Sequence, residues 1–550
     1  MMCQMKTWMK TLLVVVLCLG VKCAAMCPRG CDCDDQRLRA VCEVEARLDY
    51  VPHTLNPALK QLILLDNQIR GVKSSLSVYR NLELLDISRN QLTTLGENNF
   101  LESNRIETMI LNTNALTAVH NNTFNGLVSL KKLHLSDNKI SEINSNTFKP
   151  LIGLETLDLS LNQIQWISGD AFRGLHNLNQ LNLKSNVLNA IPSNSFQFVP
   201  KLQVLDLSQN SIHNISDDSF APLMSLTDLY LEGCSLSAID SHSFRRLTNL
   251  STLRLNSNHL EEIPSKAFMD LTLLEELKIG DNYFKTISPK VFSSLQHLRT
   301  LDINKCQYLS WIELGSFDGL SHLERLEISH NKLLTNIDNN VLSDIPNLRY
   351  LTLRSNGFVT LQLEFVNTIE RKIYLDVRDN PFHCNCSLEW LRHYLLQSNT
   401  SVTQMVNQTS EYISYPFLNL LGTVLGVECV SPPSLHTKLI VDLGNDEFGC
   451  FELDTKIPII IAILIGVLLI SGVMIIFVIR CKYGLSGLVK NQWLTGDNST
   501  TNAISQRNDL NYRKPEFVFI PNIDLNIDET EGHLQETARY PLKMTPITEL

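Results

Sequence analysis

The chain has 550 residues, 44% of them hydrophobic and 19% charged, with a formal net charge of −10. It is too long for one ordinary domain unless it is built from repeats. Its mild acidity offers no basic stripe to neutralise phosphates, so no nucleic-acid partner is expected.

At the N-terminus, Lys6 and Lys10 precede an apolar run from Thr11 to Leu19, followed by small residues at Cys23-Ala24-Ala25. That order is the order of a secretory signal, with a run too short to span a bilayer, and predicts a signal peptide over 1–25. The cysteines agree with an oxidising compartment. Of fourteen, three fall in the first 23 residues, four in Cys27–Cys42 and four in Cys384–Cys450, with Cys234, Cys306 and Cys481 apart. Two groups of four around a Cys-poor stretch read as disulfide-closed caps over 26–58 and 381–450. Four cysteines permit three pairings, and sequence alone does not choose. Zinc is the rival reading of each group, disfavoured in a secreted context.

Between the caps, over 59–380, Leu-x-x-Leu-x-Leu-x-x-Asn-x-Leu recurs with Asn at 67, 90, 114, 138, 162, 186, 210, 258, 282, 331, 356 and 380, and Cys in the same slot at 234 and 306. Fourteen repeats of 23 to 25 residues result. Phe follows ten residues after most slots, at 100, 124, 148, 172, 196, 220, 244, 268 and 292, then at Phe317 one residue late. In Leu133-His134-Leu135 the alternation predicts a short strand with one buried face. One such coil cannot bury its own apolar face, but stacked neighbours make a continuous core. The Asn column is expected to satisfy backbone groups where the strand turns away. Stacking puts Cys234 and Cys306, three repeats apart, roughly 14 Å from each other. That exceeds the reach of a disulfide, so both are expected as buried thiols.

These motifs resemble the extracellular leucine-rich-repeat receptor superfamily, in its typical 24-residue class of Toll-like receptor ectodomains, Slit and neuronal repeat adhesion proteins. The resemblance covers residues 27 to 450. It implies an α/β solenoid: a horseshoe with a curved parallel sheet and disulfide caps. It further implies pairing of Cys27 with Cys33, Cys31 with Cys42, Cys384 with Cys429, and Cys386 with Cys450. Leu388, Leu391 and Leu395 share a helical face that would close the core at the second cap.

Side chains alternating with the core leucines face the concave side. Two and four residues before each slot these include Asp158, Asp206, Tyr230, Glu232, Arg254, Lys278, Asp302, Glu327, Arg354, Asp376 and Arg378; six before, Asp228, Glu276, Arg325, Tyr350 and Tyr374. From Asp228 onward this face concentrates Tyr, Arg and opposite charges, the residue types that anchor interfaces, and is the expected ligand site. A plainly solvated sheet face is the bland reading. Glycosylation sequons fall at Asn121, Asn214, Asn249, Asn385, Asn399 and Asn407, with Asn385 constrained between two cap cysteines.

After a short stalk at 451–456, Ile457 to Ile479 runs 23 residues without a charge, long enough to cross a bilayer. Acidic residues flank it on one side and Arg480-Cys481-Lys482 on the other, predicting a single-pass type I orientation in the plasma membrane with residues 480–550 cytoplasmic and disordered. The tail has no kinase-sized or TIR-like pattern, in which it departs from the Toll-like family. Cys481 is a candidate palmitoylation site, with a plain free thiol as the alternative, and Thr548-Glu549-Leu550 has the form of a PDZ ligand. The histidines are scattered, with no nucleophile–base pair and no metal spacing, so neither an enzyme nor a cofactor or metal site is expected. The expected function is a cell-surface recognition or adhesion receptor for a protein ligand, with a co-receptor and a cytoplasmic PDZ protein as further partners. The alternative is an innate-immune recognition subunit that borrows a signalling domain.

Overall fold

The computed structural model describes residues 26–72, 75–343, 345–363, 373–396, 426–450 and 456–483. The signal peptide, Asn399, Asn407, residues 451–455 of the stalk, the Cys481 side chain and the tail with Thr548 and Leu550 lie outside the described residues.

Each repeat contributes a three-residue strand, from Gln61–Ile63 to Tyr374–Asp376, and the fourteen strands pair in parallel, strictly in sequence order. The register follows the period, so Leu205, Leu229, Leu253 and Leu277 stand side by side in one row. Each of these leucines is fully buried. Flanking residues on the same strands point the other way and are half-exposed, as a two-residue side-chain period requires.

The Asn column closes the turns. Asn138 is typical: its Nδ2 donates to the carbonyls of Leu111 at 3.1 Å and Leu135 at 3.0 Å, and its Oδ1 accepts from the Leu116 N–H at 3.1 Å. One amide thereby satisfies backbone groups of two consecutive repeats in a place water does not reach. Cys234 and Cys306 are buried free thiols. The Cys234 thiol donates to the Leu207 carbonyl at 3.2 Å, the bond that Asn210 makes to Leu183 one repeat earlier.

On the far side the Phe column is buried, and its rings stack nearly parallel with centroids 5.8–6.4 Å apart. Strands in a sheet sit only about 4.8 Å apart. Rungs that are wider at the Phe column than at the sheet fan outward, so the sheet lines the inside of an arc. In the first repeat Tyr79 fills the same layer and donates its hydroxyl to the Pro52 carbonyl. Outside the arc, short strands pair only two by two: Glu142–Ile143 with Trp166–Ile167, Asn214–Ile215 with Ala238–Ile239, and Thr286–Ile287 with Trp311–Ile312. Pro192 and Pro264 precede 3-10 turns in the intervening repeats, where a ring nitrogen has no proton to give a ladder.

Both ends are covered. An antiparallel hairpin, Cys31–Asp34 with Arg39–Cys42, extends the sheet before the first repeat and carries the Cys27–Cys33 and Cys31–Cys42 disulfides. At the other end Cys384 is bonded to Cys429 and Cys386 to Cys450. Residues 389–396 are helical, and Leu388, Leu391 and Leu395 are fully buried against the last repeats. The second unit of the chain, beginning at Asp454, holds the helix Lys456–Tyr483. Its segment Ile461–Arg480 is long and apolar enough to cross a membrane.

Candidate ligand-binding face

The in-register sheet arranges the exposed strand residues in rows. One row runs Asp228, Thr252, Glu276, Thr300, Arg325, Tyr350 and Tyr374; the next runs Tyr230, Arg254, Lys278, Asp302, Glu327, Thr352 and Asp376. Neighbours across strands are close enough to interact, and two clusters form.

The first cluster centres on Arg254. Its guanidinium carbon lies 4.9 Å from the centroid of the Tyr230 ring, and its Nη2 is 3.5 Å from Glu276 Oε1, to which Lys278 Nζ also comes within 3.5 Å. Burial, then the charge of Asp228, raises the Tyr230 hydroxyl above its ordinary pKa. In the second cluster Arg325 lies 4.7 Å over the Tyr350 ring and 3.5 Å from Glu327, and Tyr350 meets Tyr374 at 6.1 Å. Burial pushes Tyr374 up to about 12, and the charge of Asp376 adds to it. Asp302 stands between the clusters. Burial raises its pKa, and repulsion from Glu327 does likewise, against hydrogen bonding from the Asn304 N–H and the charges of Lys278 and Lys305.

Other residues of the same face are turned on one another. Arg378 donates to Asp376 from Nε at 2.8 Å and Nη2 at 2.5 Å, with side chains only 14% and 5% exposed, so this pair presents little to a guest. Arg354 leaves the face to donate to Asp379 at the rim, at 2.6 Å. Asp228 accepts from Thr227 Oγ1 at 2.7 Å, and Glu232 lies 3.9 Å from Lys184 Nζ. His134 faces Asp158 at 3.9 Å in the first half of the arc. The first three repeats differ: half-buried Ile63, Leu65, Leu84 and Ile110 add apolar side chains to their open face, beside Gln61, Asp86 and Thr108.

Six buried side-chain polar atoms among the described residues have no hydrogen-bond partner. Five lie on the strands' open side, Glu276 Oε1, Tyr374 OH and Arg254 Nε in these rows and Ser208 Oγ and Asn256 Oδ1 just beyond the strand ends, two before the slot. Buried polar atoms are normally satisfied by protein or water, so these five are available to accept partners from outside the chain at this face. Ser208 and Asn256 were missed in the sequence because a small polar residue two before the slot is indistinguishable from an ordinary solvated one. The described sequons, Asn121, Asn214, Asn249 and Asn385, are exposed, and none lies in these rows. The Cys386, Glu389 and Cys450 side chains converge, but the two sulfurs are bonded to each other in one disulfide.

Comparison with known proteins gives the same architecture. A model described as a BspA type leucine rich repeat region matches residues 141–269 in six copies, and one described as leucine rich repeat matches 104–164, 248–308 and 296–358. The chain is similar to the receptor in the TLR13-ssRNA13 complex, at 23% identity over 72% of this chain and 61% of that one, TM-score 0.51. It is similar to a chain of the Drosophila Toll–Spatzle complex at 20% identity over 72% and 58%, TM-score 0.54. A leucine-rich-repeat protein of Leptospira interrogans matches at 26% identity over 60% and 82%, TM-score 0.51. The match thus spans about three fifths of the Toll-type chains.

Proposed function

Because this chain is a leucine-rich-repeat protein with an uncovered inner sheet, we propose that it is a cell-surface recognition or adhesion receptor that binds a protein ligand there. The observation that carries the reading is the gathering on one face of five buried polar atoms that lack a hydrogen bond, the ion-paired Glu276 Oε1 among them, beside Arg–Tyr contacts at Tyr230, Arg254, Arg325 and Tyr350. Rigid aromatic and guanidinium groups supply contact area at little entropic cost. The ion pairs of this face, Arg254–Glu276 across strands and Lys278–Glu276 and Arg325–Glu327 within one, hold opposite charges at 3.5 Å, too long for good hydrogen bonds and ready to be re-paired across an interface. The helix Lys456–Tyr483 serves as the single membrane anchor, with the disulfide-capped solenoid outside and the basic residues Arg480 and Lys482 inside. Cys481, at the inner end of this helix, is a site for palmitoylation.

A glycan wedge tests the site. Adding one at Lys278 requires Ser or Thr at residue 280, where a Cβ on Gly280 would lie 2.3 Å from the Asn304 carbonyl oxygen. The neighbouring row avoids that clash: Glu276→Asn with Lys278→Thr creates a sequon, and Lys132→Asn with His134→Thr does so on the same rows in the fourth repeat. Cells displaying the full-length chain are screened against arrays of surface-protein ectodomains and of microbial lipids and glycans. A ligand lost only with the wedge at 276 supports the proposal. Equal binding by both wedges discards the second half of the arc as the site, and a microbial-only hit transfers the function to innate recognition.

A further inference from the structure

A second surface lies where the chain leaves each strand, on the rim of the arc. His259 and Tyr283 occupy the position after the Asn slot in successive repeats, and their rings stack with centroids 5.0 Å apart and planes 19° from parallel. Tyr308, from the next repeat, meets Tyr283 edge-on at 5.5 Å. These contacts run along the solenoid as a line of aromatic rungs, with His259 and Tyr308 exposed and Tyr283 half-exposed.

Lysines accompany the rungs in sequence: Lys285 follows Tyr283, Lys305 precedes Tyr308, and Lys332 follows the Asn slot of the next repeat. Lys285, Lys305 and Lys332 are exposed and form no ion pair with the carboxylates of the described residues, although Lys305 steadies the Asp302 carboxylate from a distance. Across positions 281–285, 305–308 and 330–333 the only acidic residue is Asp281, in a chain whose net charge is −10; Glu261 and Glu262 lie one repeat earlier, at the His259 end. This local excess of cations is therefore set against the overall balance of the molecule. No sequon occurs from residue 250 to residue 384, so the rim carries no glycan of its own to obstruct a long ligand.

We propose that this rim binds an acidic polysaccharide, its sugar rings packing against the exposed Tyr308 ring and the open edge of the His259–Tyr283 stack, and its anionic groups meeting Lys285, Lys305 and Lys332. The electron-rich face of a tyrosine attracts the weakly positive C–H face of a pyranose ring, and its flatness matches that ring. A lysine ammonium is a mobile point charge suited to sulfate or carboxylate oxygens whose positions vary along a polymer. The ring contacts follow one another at 5.0 and 5.5 Å along successive repeats, so the site is linear and suits a linear partner. A nucleic acid, the other linear polyanion, is an outcome that competition by an oligonucleotide reveals. The site is separate from the inner sheet and stands whether or not a protein ligand binds there.

The test uses the full-length chain in detergent micelles, with immobilised heparin, hyaluronan and neutral dextran as probes. Binding to heparin alone makes sulfate the recognised group, and binding to both charged polymers makes any acidic sugar sufficient; either supports the proposal. The variant K285A/K305A/K332A should bind roughly tenfold more weakly, as expected for three exposed charge contacts. Y283A/Y308A, which changes no charge, should weaken binding several-fold, with an unaltered unfolding midpoint showing that the fold persists. The Glu276→Asn with Lys278→Thr wedge should leave heparin binding intact, which separates this site from the inner sheet. Failure to bind either charged polymer, or equal retention on dextran, overturns the proposal. So does competition by polyglutamate or a single-stranded oligonucleotide as effective as by heparin together with indifference to the tyrosine variant, which would reduce the rim to simple ion exchange.

Discussion

Replacing Asn258 with alanine isolates what one rung of the asparagine column is worth. Asn258 is 1% exposed. Its Oδ1 accepts from the Cys234 N–H at 3.0 Å and the Leu236 N–H at 2.9 Å, and its Nδ2 donates to the Leu231 and Leu255 carbonyls, each at 2.9 Å. At about 1 kcal/mol net for each bond, Asn258→Ala should lose about 4 kcal/mol, since the groups left behind are shut away from water. Asn258→Cys should lose roughly half of that, because a thiol can keep one donor contact of the kind Cys234 makes to Leu207. Urea unfolding of residues 26–450, followed by far-ultraviolet circular dichroism, reads both losses as shifts in midpoint at similar slope. Should alanine cost under about 1 kcal/mol, or should alanine and cysteine cost the same, the column would not be holding the turns by hydrogen bonding.

Phe220, stacked on Phe196 at 6.3 Å and Phe244 at 6.1 Å, should lose about 3–5 kcal/mol on replacement by alanine in the same unfolding experiment. Asp302→Asn should stabilise the fold at neutral pH. The folded-state pKa of Asp302 is raised, so wild-type stability from this group is present in acid and lost as pH rises through that value. The gain from asparagine should therefore shrink as pH falls towards 4 and below, where the aspartate is protonated in both states; a pH-independent gain would remove burial of charge as its cause. Burial pushes the thiols of Cys234 and Cys306 up to about 11 and about 12. In residues 26–450 a thiol-reactive disulfide reagent should therefore label neither in the native state and both after unfolding without reductant, as counted by intact mass.

The repeat pattern made the scaffold legible because it encodes stacking directly. Leu133 and Leu135 specify a one-sided strand, Asn138 its turn, and Phe148 the opposite wall, and period fixes register without further information. The Phe layer still yields one surprise, Tyr79, which sits twelve residues past Asn67 and uses its hydroxyl to reach Pro52 across the first turn. The inner rows could be named by alternation, but not how their charges are spent. Nothing in the string Asp376-Val377-Arg378 says that the two charged side chains close on each other, whereas Arg254 lies over Tyr230 from the preceding strand. Choices of that kind depend on rotamer and local space, which a period does not encode. The rim column escaped notice for a different reason: His259, Tyr283 and Tyr308 fall in variable slots, and a one-residue offset at Tyr308 hides their alignment.

The hairpin that begins the sheet has a bearing on solubility. An array of parallel strands ending bluntly would expose a row of unsatisfied amide and carbonyl groups, a template on which another molecule could add its own strand and propagate a fibre. Here the outermost strand is Cys31-Asp32-Cys33-Asp34, only four residues long, with each cysteine tied into a cross-link and a carboxylate at every second position. A copy arriving edge-on meets a short, negatively charged knuckle that runs antiparallel to everything behind it. The device that terminates the coil thus also discourages polymerisation, and a surface protein displayed at high density would benefit from it.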